Sequence, residues 1–235
     1  MLHSIAGNKQ RRGRMNLTHI RNGRAWDLFA ATPLIGLFLF AAAGFIIMIS
    51  RQWPVRHDTD SVLLLVSRLC SAGFLAFEAV LLVIRRLPVA RAPGVAPRLW
   101  ALLGANFTFL VLLVPQAHPL PVLASASSLL MIVGTAGSIW TLCWLGKSFA
   151  IFPQARTLVT DGPYHWVRHP LYLAEQISPF GLALQFQQPW GLLIVSVGLL
   201  FQLPRMHYEE KILRDAYPSY AGYQMLTARL IPHVY

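Results

Sequence analysis

Residues 28–50 read LFAATPLIGLFLFAAAGFIIMIS, 23 positions without one ionisable side chain. A bilayer core needs about 20 such residues as a helix. The apolar core of a signal peptide is shorter, roughly 7 to 15 residues, so this stretch predicts a membrane helix that stays in the protein. Further apolar blocks follow at 61–84, 99–114, 122–145, 171–184 and 190–203. The pattern predicts an all-α fold, a polytopic membrane bundle of six helices with both termini cytoplasmic. The last two blocks cover only ~21 Å each at ~1.5 Å per residue, so they form either a tilted, thin pair or a hairpin whose ends extend beyond the apolar core. Residues 185–189 form the link between them, and Pro204 should kink the last helix.

Composition excludes a water-facing globule. The chain is 55% hydrophobic and 12% charged, about half the usual charged share. Its net charge of +11 does not point to nucleic acid, because the basic residues lie between apolar blocks. Six lie in the N-terminal tail (Lys9, Arg11, Arg12, Arg14, Arg21, Arg24) and four after the second block (Arg85, Arg86, Arg91, Arg98). Three more follow the fourth block (Lys147, Arg156, Arg168) and four follow the sixth (Arg205, Lys211, Arg214, Arg229). Basic residues favour the cytoplasmic side, so six spans put 17 of the 20 there and leave Arg51 and Arg56 opposite, with Arg68 inside a span. Cys70 and Cys143 lie in different apolar blocks, without metal-site or redox-pair spacing. The Arg- and Ala-rich composition is of bacterial type, so the expected location is a bacterial inner membrane.

The chain divides into a basic tail (1–25), a scaffold of four helices (26–145) and a chemically equipped region (146–235). In the scaffold, Ala124, Ser128, Gly134 and Gly137 let helices approach closely. Ionisable residues inside a span usually face the bundle interior. Arg68 and Glu78 are too far apart around and along a helix to pair, and Glu78 either lines a cavity or hydrogen-bonds a neighbouring helix.

The densest polar stretch is Asp161-Gly162-Pro163-Tyr164-His165-Trp166-Val167-Arg168-His169-Pro170-Leu171-Tyr172-Leu173-Ala174-Glu175. Asp161-Gly162-Pro163 is a turn signal. His169 precedes a proline and should be extended, and Pro170 suits a first helical position. The first turn then offers N–H groups to an anion, with Tyr172 and Glu175 on one face. A plainer reading makes Tyr164, Trp166 and Tyr172 an interfacial aromatic belt and Arg168 its anchor. Downstream, Arg205 pairs with Glu209, and Glu210 with Arg214, at helical spacing. Tyr217, Tyr220 and Tyr223 either stack on a ligand or pack an interface.

In combination and order these elements resemble the isoprenylcysteine carboxyl methyltransferases, relatives of the phosphatidylethanolamine N-methyltransferases. The resemblance covers roughly residues 140–235. Its carriers are Gly162-Pro163-Tyr164, Val167-Arg168-His169-Pro170-Leu171-Tyr172, Arg205, Glu209-Glu210, and Arg229-Leu230-Ile231-Pro232. The chain departs from the family at Ala174, where glycine is common, and at Tyr217-Pro218, where Phe-Gly is usual. The resemblance implies S-adenosylmethionine at the cytoplasmic end of the last helices, held by Tyr164, His169, Pro170, Tyr172, Glu209 and Glu210. It implies a lipidic or prenylated acceptor, with Arg205 first and Arg168 second as anchors for a carboxylate, and Glu209 beside the reacting groups. An amine or thiol acceptor would need a base, with His207 and His169 as candidates. The competing readings are a sterol-reductase-like NADPH oxidoreductase and a membrane scaffold or transporter without chemistry.

Overall fold

The computed structural model describes residues 23–54, 58–117 and 120–232. Most of the basic tail, Arg56 and the last three residues lie outside that range. The elements are α1 (Arg24–Ser50), α2 (Thr59–Ile84), β1 (Ala90–Arg91), α3 (Ala96–Asn106), a 3-10 turn (Phe107–Leu113), α4 (Pro121–Leu145), β2 (Gln154–Ala155), α5 (Pro163–Trp166), α6 (Pro170–Ala183), α7 (Trp190–Ala216) and α8 (Tyr220–Leu226). Arg24 and Ala25, assigned by the sequence to the tail, form the start of α1.

Among the described residues, four helical segments are long and apolar enough to cross a membrane: Arg24–Ser50, Thr59–Ile84, Ala96–Leu113 and Pro121–Ser148. The expected fifth and sixth spans differ from these. α6 has 14 residues, while α7 has 27 and carries a polar second half. α7 passes through Pro204 and ends only at Ala216. Outward-facing Phe29, Phe40, Val133, Leu193 and Leu200 are all more than half exposed, which suits lipid rather than water.

The core is assembled pairwise, with α1 along α2, α4 along both α2 and α6, and α3 along α7. The α4–α6 seam is the tightest. A Cβ placed on Gly134 would lie 2.3 Å from the Ser178 backbone nitrogen, and one on Gly181 would lie 2.6 Å from the Ser127 carbonyl. Dispersion between backbones replaces the hydrophobic drive that lipid cannot supply. At one end of the bundle, residues 115–117 bond to residues 185–187 through Ala117 N–H to Gln185 O and Gln187 N–H to Pro115 O. At the other end, β1 pairs antiparallel with β2. There Asp27 of α1 accepts from Arg85 at 2.9 Å and Arg91 at 3.0 Å. The functional residues gather at this second end.

Candidate active site

Local sequence builds the site's floor. Gly162 sits at φ +61°, and a Cβ there would strike the Trp144 ring, so the turn requires glycine. Pro163 opens α5 and Pro170 opens α6, each at the first helical position. His169 leaves the helical region as expected, with φ −126° and ψ 55° rather than full extension. The aromatic-belt reading holds for Trp166, which is 63% exposed, and fails for Tyr164 and Tyr172, which are 8% and 5% exposed.

Tyr164, Arg168, His169, Tyr172 and Glu209 line one recess of about 50 Å³, together with Gln154. The His169 and Tyr172 rings stack with centroids 5.2 Å apart and planes 6° apart. The Tyr172 hydroxyl donates to Glu209. Burial, then the Glu209 charge, pushes the Tyr164 phenol well up, so it stays neutral.

Glu210 faces elsewhere. It accepts from Arg168 Nε at 2.9 Å and pairs with His169 Nε2 at 3.1 Å and Arg229 Nε at 3.3 Å. Burial alone would raise its pKa. The His169 hydrogen bond and charge outweigh that, helped by Arg229 and Arg168, and hold it down at about 2. This hub fastens a C-terminal strap over the motif. Arg168 N–H donates to Ala228 O at 2.8 Å, and His169 N–H to Arg229 O at 3.1 Å. Arg168 Nη1 donates to Gln224 O.

The expected pairing within the last helix is therefore corrected. Glu210 takes Arg168 and Arg229 instead of Arg214, whose guanidinium bonds Gln224 at 2.9 Å. Arg205 donates to Gln202 at 3.2 Å, and its Cζ stands 4.4 Å from the Tyr172 ring centroid. Tertiary partners win because weak pairs along one helix cannot compete with buried, directed contacts. The three tyrosines brace the site. Tyr217 donates to Arg156 O and Tyr223 to Tyr164 O, while Tyr220 is 1% exposed.

Arg205 also lines a second cavity of about 120 Å³ inside the bundle, with Glu78, Glu175, Gln176 and Gln202 among largely apolar walls. The sequence placed Glu175 beside Tyr172, and Glu78 beside either a cavity or a neighbouring helix. It did not bring the two glutamates together. Their residence in apolar blocks on different helices was the available signal. A further apolar cavity of about 260 Å³ shares Phe45, Phe109, Met131 and Leu182 with this one. Pro170 is buried and lines neither recess nor cavity, while His207 is exposed.

A polar recess thus lies beside a mostly apolar chamber at one end of the bundle. Residues 123–220 match the family model for phospholipid methyltransferases. The match covers α4 to the start of α8 and agrees with the resemblance read from the motif. A cobalt-zinc-cadmium resistance protein, CzcN of Cupriavidus metallidurans, is 25% identical over 115 residues, covering 48% of this chain and 51% of that protein. The aligned part thus spans about half the length of that relative.

Proposed function

We propose that the protein transfers a methyl group from S-adenosylmethionine to a lipid-borne acceptor. The observation that carries this reading is the position of Tyr172. Its hydroxyl faces the polar recess through Glu209, and its ring carries Arg205, which lines the interior cavity. One side chain thus divides a donor chamber from an acceptor chamber.

The residues fit the cofactor. Glu209 suits ribose hydroxyls, which are donors, and the faces of Tyr164, Tyr172 and His169 suit a sulfonium and an adenine. When bound, the cofactor supplies a methyl group on an electron-poor sulfur. The chain's share is to orient the acceptor in line and keep water out. His169 is held by Glu210, so its ring orientation is set before any ligand arrives. The basic residues at this end favour a cytoplasmic site in a bacterial inner membrane.

The acceptor chamber favours a basic nitrogen. It carries two carboxyl groups, Glu78 and Glu175, against one guanidinium, oxygens that can accept from the N–H groups of an amine. An amine must lose a proton before it attacks, and either glutamate serves as base in place of the exposed His207. The acceptor's tail lies in the adjoining apolar cavity, gaining about 0.8 kcal/mol per buried methylene. A second reading, an isoprenylcysteine-type carboxylate held by Arg205, rests on the Arg205 Nε, which is buried without a partner. A carboxylate needs no base, so the two readings separate cleanly. The test is transfer of labelled methyl from S-adenosylmethionine into a bacterial lipid extract by the purified protein, with the product split into base-labile ester and stable N-methyl fractions. N-methyl product that vanishes in the double variant Glu78→Gln/Glu175→Gln supports the amine; ester product surviving those changes supports the carboxylate. No transfer and no cofactor binding heat would overturn the methyltransferase reading itself.

A further inference from the structure

Three arginines converge on one carboxylate at the site end of the bundle, outside both chambers. Asp27 accepts from Arg85 Nε at 2.9 Å, Arg91 Nη2 at 3.0 Å and Arg156 Nη2 at 3.5 Å. Among the described residues, no other acidic side chain forms an ion pair with these arginines. The cluster therefore holds two positive charges in excess while nearly dry, a state that costs free energy unless an anion completes it.

The donors are not exhausted either. Arg91 Nε, Arg156 Nε and Arg156 Nη1 are buried without a partner, and the Arg156 side chain is 0% exposed. Burial first, then the neighbouring Arg85 charge, brings Arg156 down to about 10 despite Asp27. Arg91 is the open member, with 18% of its side chain exposed. Around it, Leu87, Val89 and Val95 stand 46%, 58% and 77% exposed. Arginines flanked by outward aliphatic side chains match a membrane interface, with head groups above and acyl chains below.

We propose that Arg91, backed by Arg85 and Arg156, binds the phosphate of an anionic lipid headgroup. The guanidinium fork suits two phosphate oxygens, and the buried pair behind it supplies field rather than contact. Leu87 and Val89 hold the adjoining acyl chains. The site is separate from the methyl-transfer reading and stands or falls independently of it. It does touch the recess mechanically, because Arg91 pairs in register with Gln154, which lines that recess and accepts from Arg156 at 2.8 Å.

The test uses the full chain in detergent, titrated with phosphatidylglycerol, phosphatidylcholine or inorganic phosphate and read by native mass spectrometry. Phosphatidylglycerol should bind about tenfold more tightly than phosphatidylcholine, and Arg91→Ala should erase that preference. Arg91→Lys, which keeps the charge and loses the fork, should retain part of it and serves if the alanine variant does not fold. Arg98→Ala, a change at an exposed arginine on α3, should leave it intact. If inorganic phosphate competes the lipid off, the phosphate group alone is recognised. If it does not, the aliphatic rim is needed as well. Equal preference in wild type and Arg91→Ala, or no preference in the wild type, overturns the proposal.

Discussion

Replacing Glu210 by glutamine removes one charge and almost no volume from the hub that fastens the C-terminal strap. The carboxylate sits at about 2 against an ordinary value of 4.5. At ~1.36 kcal/mol per pH unit, that gap is worth about 3 kcal/mol of folding stability at neutral pH. Because the folded value is depressed, the contribution is complete above about pH 4.5 and drains away as pH falls towards 2. The glutamine leaves Arg168 and Arg229 short of an anion at 2.9 Å and 3.3 Å, so the loss should approach the full amount. At roughly 2–4 °C per kcal/mol for a chain of this size, melting should fall by about 6–12 °C. The assay is thermal unfolding in detergent, followed at neutral pH and again near pH 3, where the difference should shrink to less than half. Unchanged melting at neutral pH, or a difference that persists undiminished in acid, would refute the argument that this ion hub carries the strap.

Tyr172→Phe deletes the donor to Glu209 and keeps the ring under Arg205, so methyl transfer should drop by about tenfold or more in a radiolabel assay with melting little changed. Glu78→Gln should lower turnover while leaving calorimetric cofactor affinity intact, since Glu78 lines only the acceptor chamber. Gly134→Val should split the α4–α6 seam, because its Cβ position is already 2.3 Å from Ser178; loss of folded, monodisperse protein by size exclusion is the expected outcome. Arg205→Lys should reduce transfer more than tenfold, because an ammonium cannot both cover Tyr172 and bond Gln202.

The membrane helices were legible because lipid leaves the backbone no other way to satisfy itself, so composition and length suffice. Pro170 was readable as a helix start because a missing N–H costs nothing there, whereas Pro163 was read only as part of a turn. The two-residue strands, 90–91 and 154–155, carry no period and escaped notice. The contacts of Arg205 and Glu210 were misjudged for a different reason. Helical spacing names the nearest partners along one element, while burial selects partners from other elements that no spacing encodes. Glu78 and Glu175, 97 positions apart, meet only through the packing of α2 and α6 around α4.

The strap across residues 168–169 has a consequence for biosynthesis. Residues 224–229 must leave the ribosome before Arg168 and His169 find their carbonyl partners and before Glu210 gains Arg229. The helices can enter the bilayer one after another, yet the recess around His169 stays unfinished until this late segment folds back. A nascent chain halted before that point would lack the strap's bonds to Arg168 and His169, so this end of the bundle is completed last.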